Sequence, residues 1–386
     1  MTLARVRLAV YTDYVYRQVD GEVFAERAFG LFLARLSGAL DRLVLIGRVA
    51  PEPDRARYAV GAGVELVPLP YYPRLSDPWT VVRSSLGSLA RFWRALSTVD
   101  CVWLLGPHPL AIAFAGLAAV RRRRVVLGVR QDLPAYVESR HPDRRFLQLA
   151  GRALELAWRA LARAFPVVVV GPEIAAHYVG ASSVLEISVS LIDADDVVPP
   201  AVALRRSYDG ELRVISVGRL EAEKNPLLLA DVLARLREDG DRWRLVVCGE
   251  GEMQAALEDR LHELGLAERA ELLGYVPFGP RLLSLYQESQ AFLHVSWTEG
   301  LPQVIVEAFA AGVPVVATDV GGVAAAFGDT VRLVPAGNAD AAAAALREIA
   351  ADPGLRETLV RAGHKYAAAR TADVEVERVA EFLRRA

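Results

Sequence analysis

The side chains best suited to chemistry fall between Trp297 and Gly322, in WTEGLPQVIVEAFAAGVPVVATDVGG. Ser296–Leu301 reads as a loop after an apolar strand. Pro302 reads as a first helical residue, where a missing N–H costs nothing, and Gly312 as the helix stop. A helix start presents N–H groups and the positive end of a dipole, so Gly300 and Leu301 are placed to receive an anion. Two carboxylates bracket that point. Glu299 precedes the helix, and Glu307 lies about 7.5 Å further along its axis than Pro302. Glu307 sits among Val304, Ile305, Val306, Ala308 and Phe309. A carboxylate buried there is costly unless donors meet it, and the vicinal hydroxyls of a ribose would supply two. The plainer alternative is an acid at a helix start with a chance glutamate inside.

A second constellation is VISVGRLEAEKNP, Val214 to Pro226. A buried strand ends at Gly218, Arg219 and Lys224 follow, and Asn225 and Pro226 read as the N-cap and first residue of a helix. Two cations in a loop at the carboxyl end of a strand suit a diphosphate, the arginine as a fork and the lysine as a mobile point charge. Salt bridging of Arg219 to Glu221 and Glu223 is the alternative. Lysine occurs only at 224 and 365 among 45 basic residues, which singles Lys224 out. Gly249-Glu250-Gly251 and Gly274-Tyr275-Val276-Pro277 each follow a strand end, and each reads equally as a simple turn.

The elements that must position these residues alternate. Strand patterns at Val6–Tyr11, Arg42–Ile46, Val64–Pro68, Cys101–Leu105, Arg124–Val129 and Val167–Val170 are interleaved with helical ones, the first at Val23–Ser37. The second half repeats this from Leu212–Val217 to Thr330–Val334. Such alternation predicts parallel sheets covered on both faces, with ligands beyond the carboxyl ends of the strands. The acidic, proline-paired segment DADDVVPPAVALRRSYDG reads as a linker. The expected organisation is an N-terminal domain over 1–192, a linker over 193–210, a C-terminal domain over 211–368, and a final helix over 369–386 packing back on the first domain. The first 200 residues hold 24 basic and 19 acidic residues, a net of +5; the remainder hold 21 and 28, a net of −7.

With Glu299-x7-Glu307, the following AFAAGVPVVAT and the pair Gly321-Gly322, the chain resembles the GT4-type retaining glycosyltransferases of GT-B fold. The resemblance covers most of 190–386 and is weaker over 1–190. It implies two Rossmann-like domains facing across a cleft, a nucleoside diphosphate sugar as donor, and no metal or other cofactor. It implies that Glu299 faces the sugar, Glu307 the ribose, and Arg219 and Lys224 the diphosphate. The loops at Gly218 and at Gly249 and Gly251 would lie beside the donor, and Val276 would hold the base through its backbone. Three departures stand out. The family's paired-glycine loop after the first strand is replaced by Thr12–Glu22, with Gly21 alone and Asp13 and Arg17 as possible contacts. The family's N-domain histidine is missing from the strand end at Arg130-Gln131-Asp132. Arg130 and Asp132 are candidates to replace it, with His108 as their rival. Ala325 stands where a glutamate is common. The implied activity is transfer of a sugar to an acceptor: a glycolipid, a polysaccharide precursor or a small molecule. An epimerase or phosphorylase on the same fold, or a non-catalytic sugar-nucleotide-binding module, are the alternatives.

Composition excludes several other classes. Hydrophobic residues make up 53% and the net charge is −2, so a disordered chain is excluded. With no basic excess, a general nucleic-acid binder is not expected. Two cysteines cannot build a disulfide framework, and with no secretory pattern a cytoplasmic protein is expected. Asp193-Ala194-Asp195 mimics a metal motif but reads as solvated linker. Arg121–Arg124, beside the apolar helix Leu110–Val120, reads either as a solvated loop or as a peripheral contact with the inner membrane face.

Overall fold

The computed structural model divides into two compact units, Met1–Val189 with Ala372–Ala386, and Ser190–Thr371. It describes residues 6–19, 22–25, 29–50, 58–61, 63–71, 78–237, 240 and 242–386. Gly21 lies outside them. Among the described residues no helix is long and apolar enough to cross a membrane.

The first unit contains β1 (Arg7–Val19), β2 (Glu22–Ala25), α1 (Phe29–Gly38), β3 (Arg42–Val49), β4 (Tyr58–Ala59), β5 (Val64–Leu69), α2 (Pro78–Ala95), β6 (Cys101–Gly106), α3 (Pro109–Val120), β7 (Arg124–Val129), α4 (Leu133–Arg140), α5 (Arg145–Ala162), β8 (Val167–Val170), α6 (Pro172–His177) and β9 (Val184–Ile187). Its parallel strands run β5-β3-β1-β6-β7-β8-β9. One face of this sheet is covered by Phe92 and Leu96 of the α2 region, Phe114 of α3 and Trp158 of α5. Within the expected loop Thr12–Glu22, residues Thr12–Val19 are instead the second half of β1, whose Tyr16–Val19 pair antiparallel with β2. Its run of tyrosine and valine favours a pleated strand, and the helix expected from Val23 starts only at Phe29.

The second unit contains α7 (Pro200–Ala203), β10 (Leu212–Val217), α8 (Leu227–Leu236), β11 (Trp243–Cys248), α9 (Gln254–Glu263), β12 (Ala270–Leu272), α10 (Pro280–Gln287), β13 (Ala291–His294), α11 (Gln303–Ala310), β14 (Val315–Thr318), α12 (Val323–Phe327), β15 (Arg332–Val334), α13 (Ala339–Ala351) and α14 (Pro353–Ala368). All six strands are parallel, in the order β12-β11-β10-β13-β14-β15. The order reverses between β10 and β13, which leaves a crevice beyond their carboxyl ends.

Residues 193–210 do not form a free linker. They belong to the second unit and cover the end of α11. The Val198 N–H donates to the Ala310 carbonyl at 2.7 Å, and Arg206 Nη1 to the Gly312 carbonyl at 2.7 Å. The arginine thus satisfies carbonyls that the helix leaves unpaired. The chain then closes on the first unit with α15 (Ala372–Arg385). There Arg124 Nη1 donates to the carbonyls of Leu383 and Arg384 at 3.2 and 2.8 Å.

Candidate functional site

At the reversal point of the second unit, the loop after β10 is stitched to the loop after β11. The Gly218 N–H donates to Cys248 O at 3.0 Å, Leu220 N–H to Glu250 O at 2.9 Å and Met253 N–H to Leu220 O at 2.8 Å. The approach is so close that a Cβ on Gly249 would overlap the Gly218 carbonyl, and one on Gly251 the Leu220 carbonyl. These glycines are therefore required by the contact between two backbones. Ala222–Lys224 then form a short 3-10 turn. Asn225 closes that turn in the left-handed region, at φ +50°, rather than capping a helix; α8 starts at Leu227 behind Pro226. The Trp297 N–H donates to Glu223 O at 2.9 Å. That bond ties the lysine's turn to the loop after β13.

The two loops bring Lys224 and Glu299 together across 75 residues of sequence, Nζ to Oε1 at 2.5 Å. The same Oε1 lies 2.9 Å from His294 Nε2 and accepts from Ser296 Oγ at 2.7 Å. Burial alone would raise this carboxyl's pKa, but the His294 hydrogen bond and the Lys224 charge outweigh it and hold the group at about 2. Glu299 is therefore an anion at neutral pH and cannot act as a general acid. With three partners on Oε1, its Oε2 is the oxygen left to accept from a ligand hydroxyl. The loop after β14 backs this arrangement. Thr318 Oγ1 donates to Ser296 O at 2.8 Å, and a Cβ on Gly321, at φ +52°, would overlap the Glu299 carbonyl. Ser216, Gly218, Arg219, Lys224, His294 and Glu299 help to line a cavity of about 280 Å³ whose floor continues to Leu301 and Gln303.

Glu307 faces a different environment. Tyr286 Oη donates to its Oε2 at 3.0 Å, and burial pushes the carboxyl up to about 7 against that hydrogen bond. Two carboxylates eight positions apart are thus driven in opposite directions, a pattern that concentrates at functional sites. Glu307 does not line the 280 Å³ cavity. Pro302 is the N-cap of α11, one position earlier than its expected role as first helical residue.

Arg219 takes the alternative role. Its guanidinium pairs with Glu221 and, at 3.1 Å, with Glu223. It stands at the cavity wall with its charge already matched. The Val276 side chain is buried in the core that also holds Tyr286 and Phe292, which anchors the 274–277 segment. Sequence reasoning missed His294 and Ser296. Their signal was present: a histidine ends an otherwise apolar strand, and a serine follows two positions later at the head of the loop that carries Glu299.

In the first unit, the candidates at the ends of β6 and β7 turn out to hold helices. His108 Nδ1 accepts from the Leu110 N–H at 3.2 Å, capping α3, and lies 3.0 Å from Tyr11 Oη. A ring nitrogen that accepts carries no proton, so the neutral ring carries its proton on Nε2. Burial lowers the pKa of His108, and Arg48 lowers it further against the pull of Asp13. Asp132 caps α4, accepting from the Ala135 N–H at 2.9 Å, and its other oxygen lies 3.5 Å from His177. Arg130 donates to Tyr14 Oη at 2.5 Å and stacks 4.3 Å over Phe29. In the Arg121–Arg124 run the two end residues are likewise engaged: Arg121 lies 3.9 Å over the Trp93 ring, and Arg124 holds the end of α15. Among the described residues no group of three or more His, Cys, Asp or Glu is placed to hold a metal ion.

The family model described as glycosyl transferases group 1 matches residues 204–366. A D-inositol 3-phosphate glycosyltransferase from Streptomyces bingchenggensis is 33% identical over 187 residues, 43% of this chain and 41% of that one. A Vi polysaccharide biosynthesis protein, VipC/TviE, from Salmonella typhi is 32% identical over 124 residues, 32% of this chain and 21% of that one. The matches thus span less than half the length of these curated relatives. Among solved structures, sucrose-phosphate synthase from Thermosynechococcus elongatus superposes with a TM-score of 0.72 at 19% identity, covering 99% of both chains. The Anabaena protein HepE in complex with UDP gives 0.70 at 18% identity, covering 98% of this chain and 100% of that one. The fold is that of the GT-B glycosyltransferases.

Proposed function

We propose that the protein is a retaining glycosyltransferase using a nucleoside diphosphate sugar, a reading supported by the match of residues 204–366 to the group 1 glycosyl transferase model. The observation that carries this reading is the cavity at the β10/β13 reversal, where Lys224, Glu299 and the start of α11 converge. Departure of a diphosphate develops negative charge. Lys224 and the positive end of α11 are suited to stabilise it before reaction begins, without reorganisation. Arg219 would join them by exchanging its carboxylate partners for phosphate oxygens. Glu299, ionised and saturated on one oxygen, would accept a sugar hydroxyl on the other and orient the ring. Glu307, with its Tyr286 hydrogen bond, is suited to accept the ribose hydroxyls.

Glu299 is a poor candidate nucleophile, because three donors already compete for its charge. Retention is then best served by the leaving phosphate oxygen taking the acceptor's proton on the same face of the sugar. This route calls for no metal or other cofactor from the protein. The acceptor is read only as a hydroxyl-bearing molecule delivered to the first unit. Arg130 and the Nε2–H of His108 are the donors there best suited to meet it.

The deciding experiment is a thermal-shift panel of UDP, GDP and ADP with their sugar conjugates. UDP goes first because HepE structures hold UDP and UDP-glucose. A ligand at 100 times its Kd adds about 2.7 kcal/mol. One nucleotide should raise the melting temperature, and Lys224→Ala should abolish the shift while the chain stays folded. No shift with any nucleotide refutes the donor assignment. Isomerisation of the donor without acceptor would point to an epimerase, sugar release dependent on free phosphate to a phosphorylase, and binding with no turnover to a non-catalytic module.

A further inference from the structure

We infer that the outer face of α5, in the first unit, is a contact surface for an anionic lipid bilayer. The helix turns Gly151, Glu155, Trp158 and Ala162 inward. Its opposite stripe exposes three large apolar side chains, Phe146 at 79%, Leu149 at 63% and Leu156 at 67%. At 3.6 residues per turn these three fall within an arc of about 80°, and alanines 153, 157 and 160 fill the space between them. A water-facing helix normally shows charge on that stripe. Here the charge forms a border: Arg145, Arg152, Arg159 and Arg163 follow one another along a single edge, spaced seven, seven and four residues apart. The sole carboxylate of the helix, Glu155, is buried and bound to Arg159 and Tyr178. From outside the helix, Glu138 of α4 lies 3.7 Å from Arg152.

An apolar stripe edged by arginine, with no exposed acid on the helix, fits one surface best. The apolar side chains enter the acyl boundary while the guanidinium groups stay with phosphate headgroups. Charge complementarity therefore commits the face to anionic lipid. α2 packs on the same core. Its region contributes Phe92 and Leu96 to the core that also takes Trp158, and its outer face exposes Trp79 and Leu86. The contact so placed differs from the one expected at Arg121–Arg124, where Arg121 lies over Trp93 and Arg124 holds the end of α15. It does not depend on the chemistry of the second unit.

The test is co-sedimentation of the full chain with vesicles. One set is pure phosphatidylcholine, and the other contains about one third phosphatidylglycerol. Binding to the anionic vesicles alone is expected, weakening in 1 M salt, where the screening length falls to about 3 Å. Arg145→Gln with Arg152→Gln should lower the partition coefficient by roughly fivefold for each arginine. Phe146→Ser with Leu156→Ser should reduce it at least as much, whereas Phe146→Trp should retain it. The substituted side chains are exposed, so melting temperatures should match the wild type. Equal binding to both vesicle types, no binding to either, or unchanged binding by both double variants overturns the proposal. A wild-type dimer that Phe146→Ser with Leu156→Ser converts to monomer, with no vesicle binding, would assign the face to a second copy instead.

Discussion

Lys224→Met puts the central ion pair to its strictest test. The ammonium and the Glu299 carboxylate are 2.5 Å apart, with side chains 23% and 10% exposed. Removing one partner of a fully buried pair costs about 3–5 kcal/mol. Here the lysine keeps some solvent and His294 and Ser296 remain on the carboxylate, so about 1–3 kcal/mol is expected. Glu299 provides an independent reading of the same pair. Its pKa is lowered from 4.5 to about 2, so the unfolded chain binds the proton more readily. The group then contributes roughly 3 kcal/mol above pH 4.5 that is lost as pH falls toward 2. Lys224→Met should shrink that contribution, and its penalty should be smaller at pH 3 than at pH 7 without vanishing, because Glu299 with a pKa of about 2 is still largely ionised there. The assay is urea unfolding of the wild type, Lys224→Met, Glu299→Gln and the double variant, followed at pH 7 and pH 3 by a probe in the second unit. A coupling energy of about 1–3 kcal/mol at pH 7 is expected. Transfer should fall about 10²–10³-fold in Lys224→Met, the usual consequence of removing one pre-positioned donor to developing charge. Additivity within about 0.5 kcal/mol at pH 7 would show that the two groups do not meet, and the reasoning would fail with it.

Other outcomes follow from the same geometry. Glu307 has its pKa raised to about 7 by burial, so the folded chain binds the proton more readily and stability from this group falls as pH rises from 4.5 to 7; Glu307→Gln should gain about 1–3 kcal/mol relative to the wild type at pH 8, read by thermal melts at pH 5 and 8, while weakening donor binding. Replacing His294 by alanine removes a donor at 2.9 Å from Glu299 and should lower kcat about tenfold more than it raises KM; His294→Gln, which can still donate, should recover part of the loss, and a pure stability effect with unchanged kcat would count against a positioning role. Gly249→Ala and Gly321→Ala each force a Cβ onto a backbone carbonyl and should cost at least about 2 kcal/mol, measured as a lower melting temperature of the second unit.

Much of the fold is written in local pattern. Apolar strands alternating with helices, glycines at strand ends and proline at helix starts point to parallel α/β units, because each signal acts within a few residues. The same local chemistry singles out Arg219, Lys224 and Glu299 as groups near strand ends, and Glu307 as a lone carboxylate in an apolar helix. What local pattern leaves open is which strand ends become neighbours. Lys224 meets Glu299 because β13 crosses back to lie beside β10, an outcome of burying every strand's two faces at once. His294 reads as an isolated histidine until that pairing turns it toward the carboxylate. Tertiary contact also gave the first unit's candidates partners that the sequence does not name: Asp132 and His108 cap helices, and Thr12–Val19 is drawn into the sheet. A side chain's type limits what it can do, and its neighbours, supplied by distant parts of the chain, select among those possibilities.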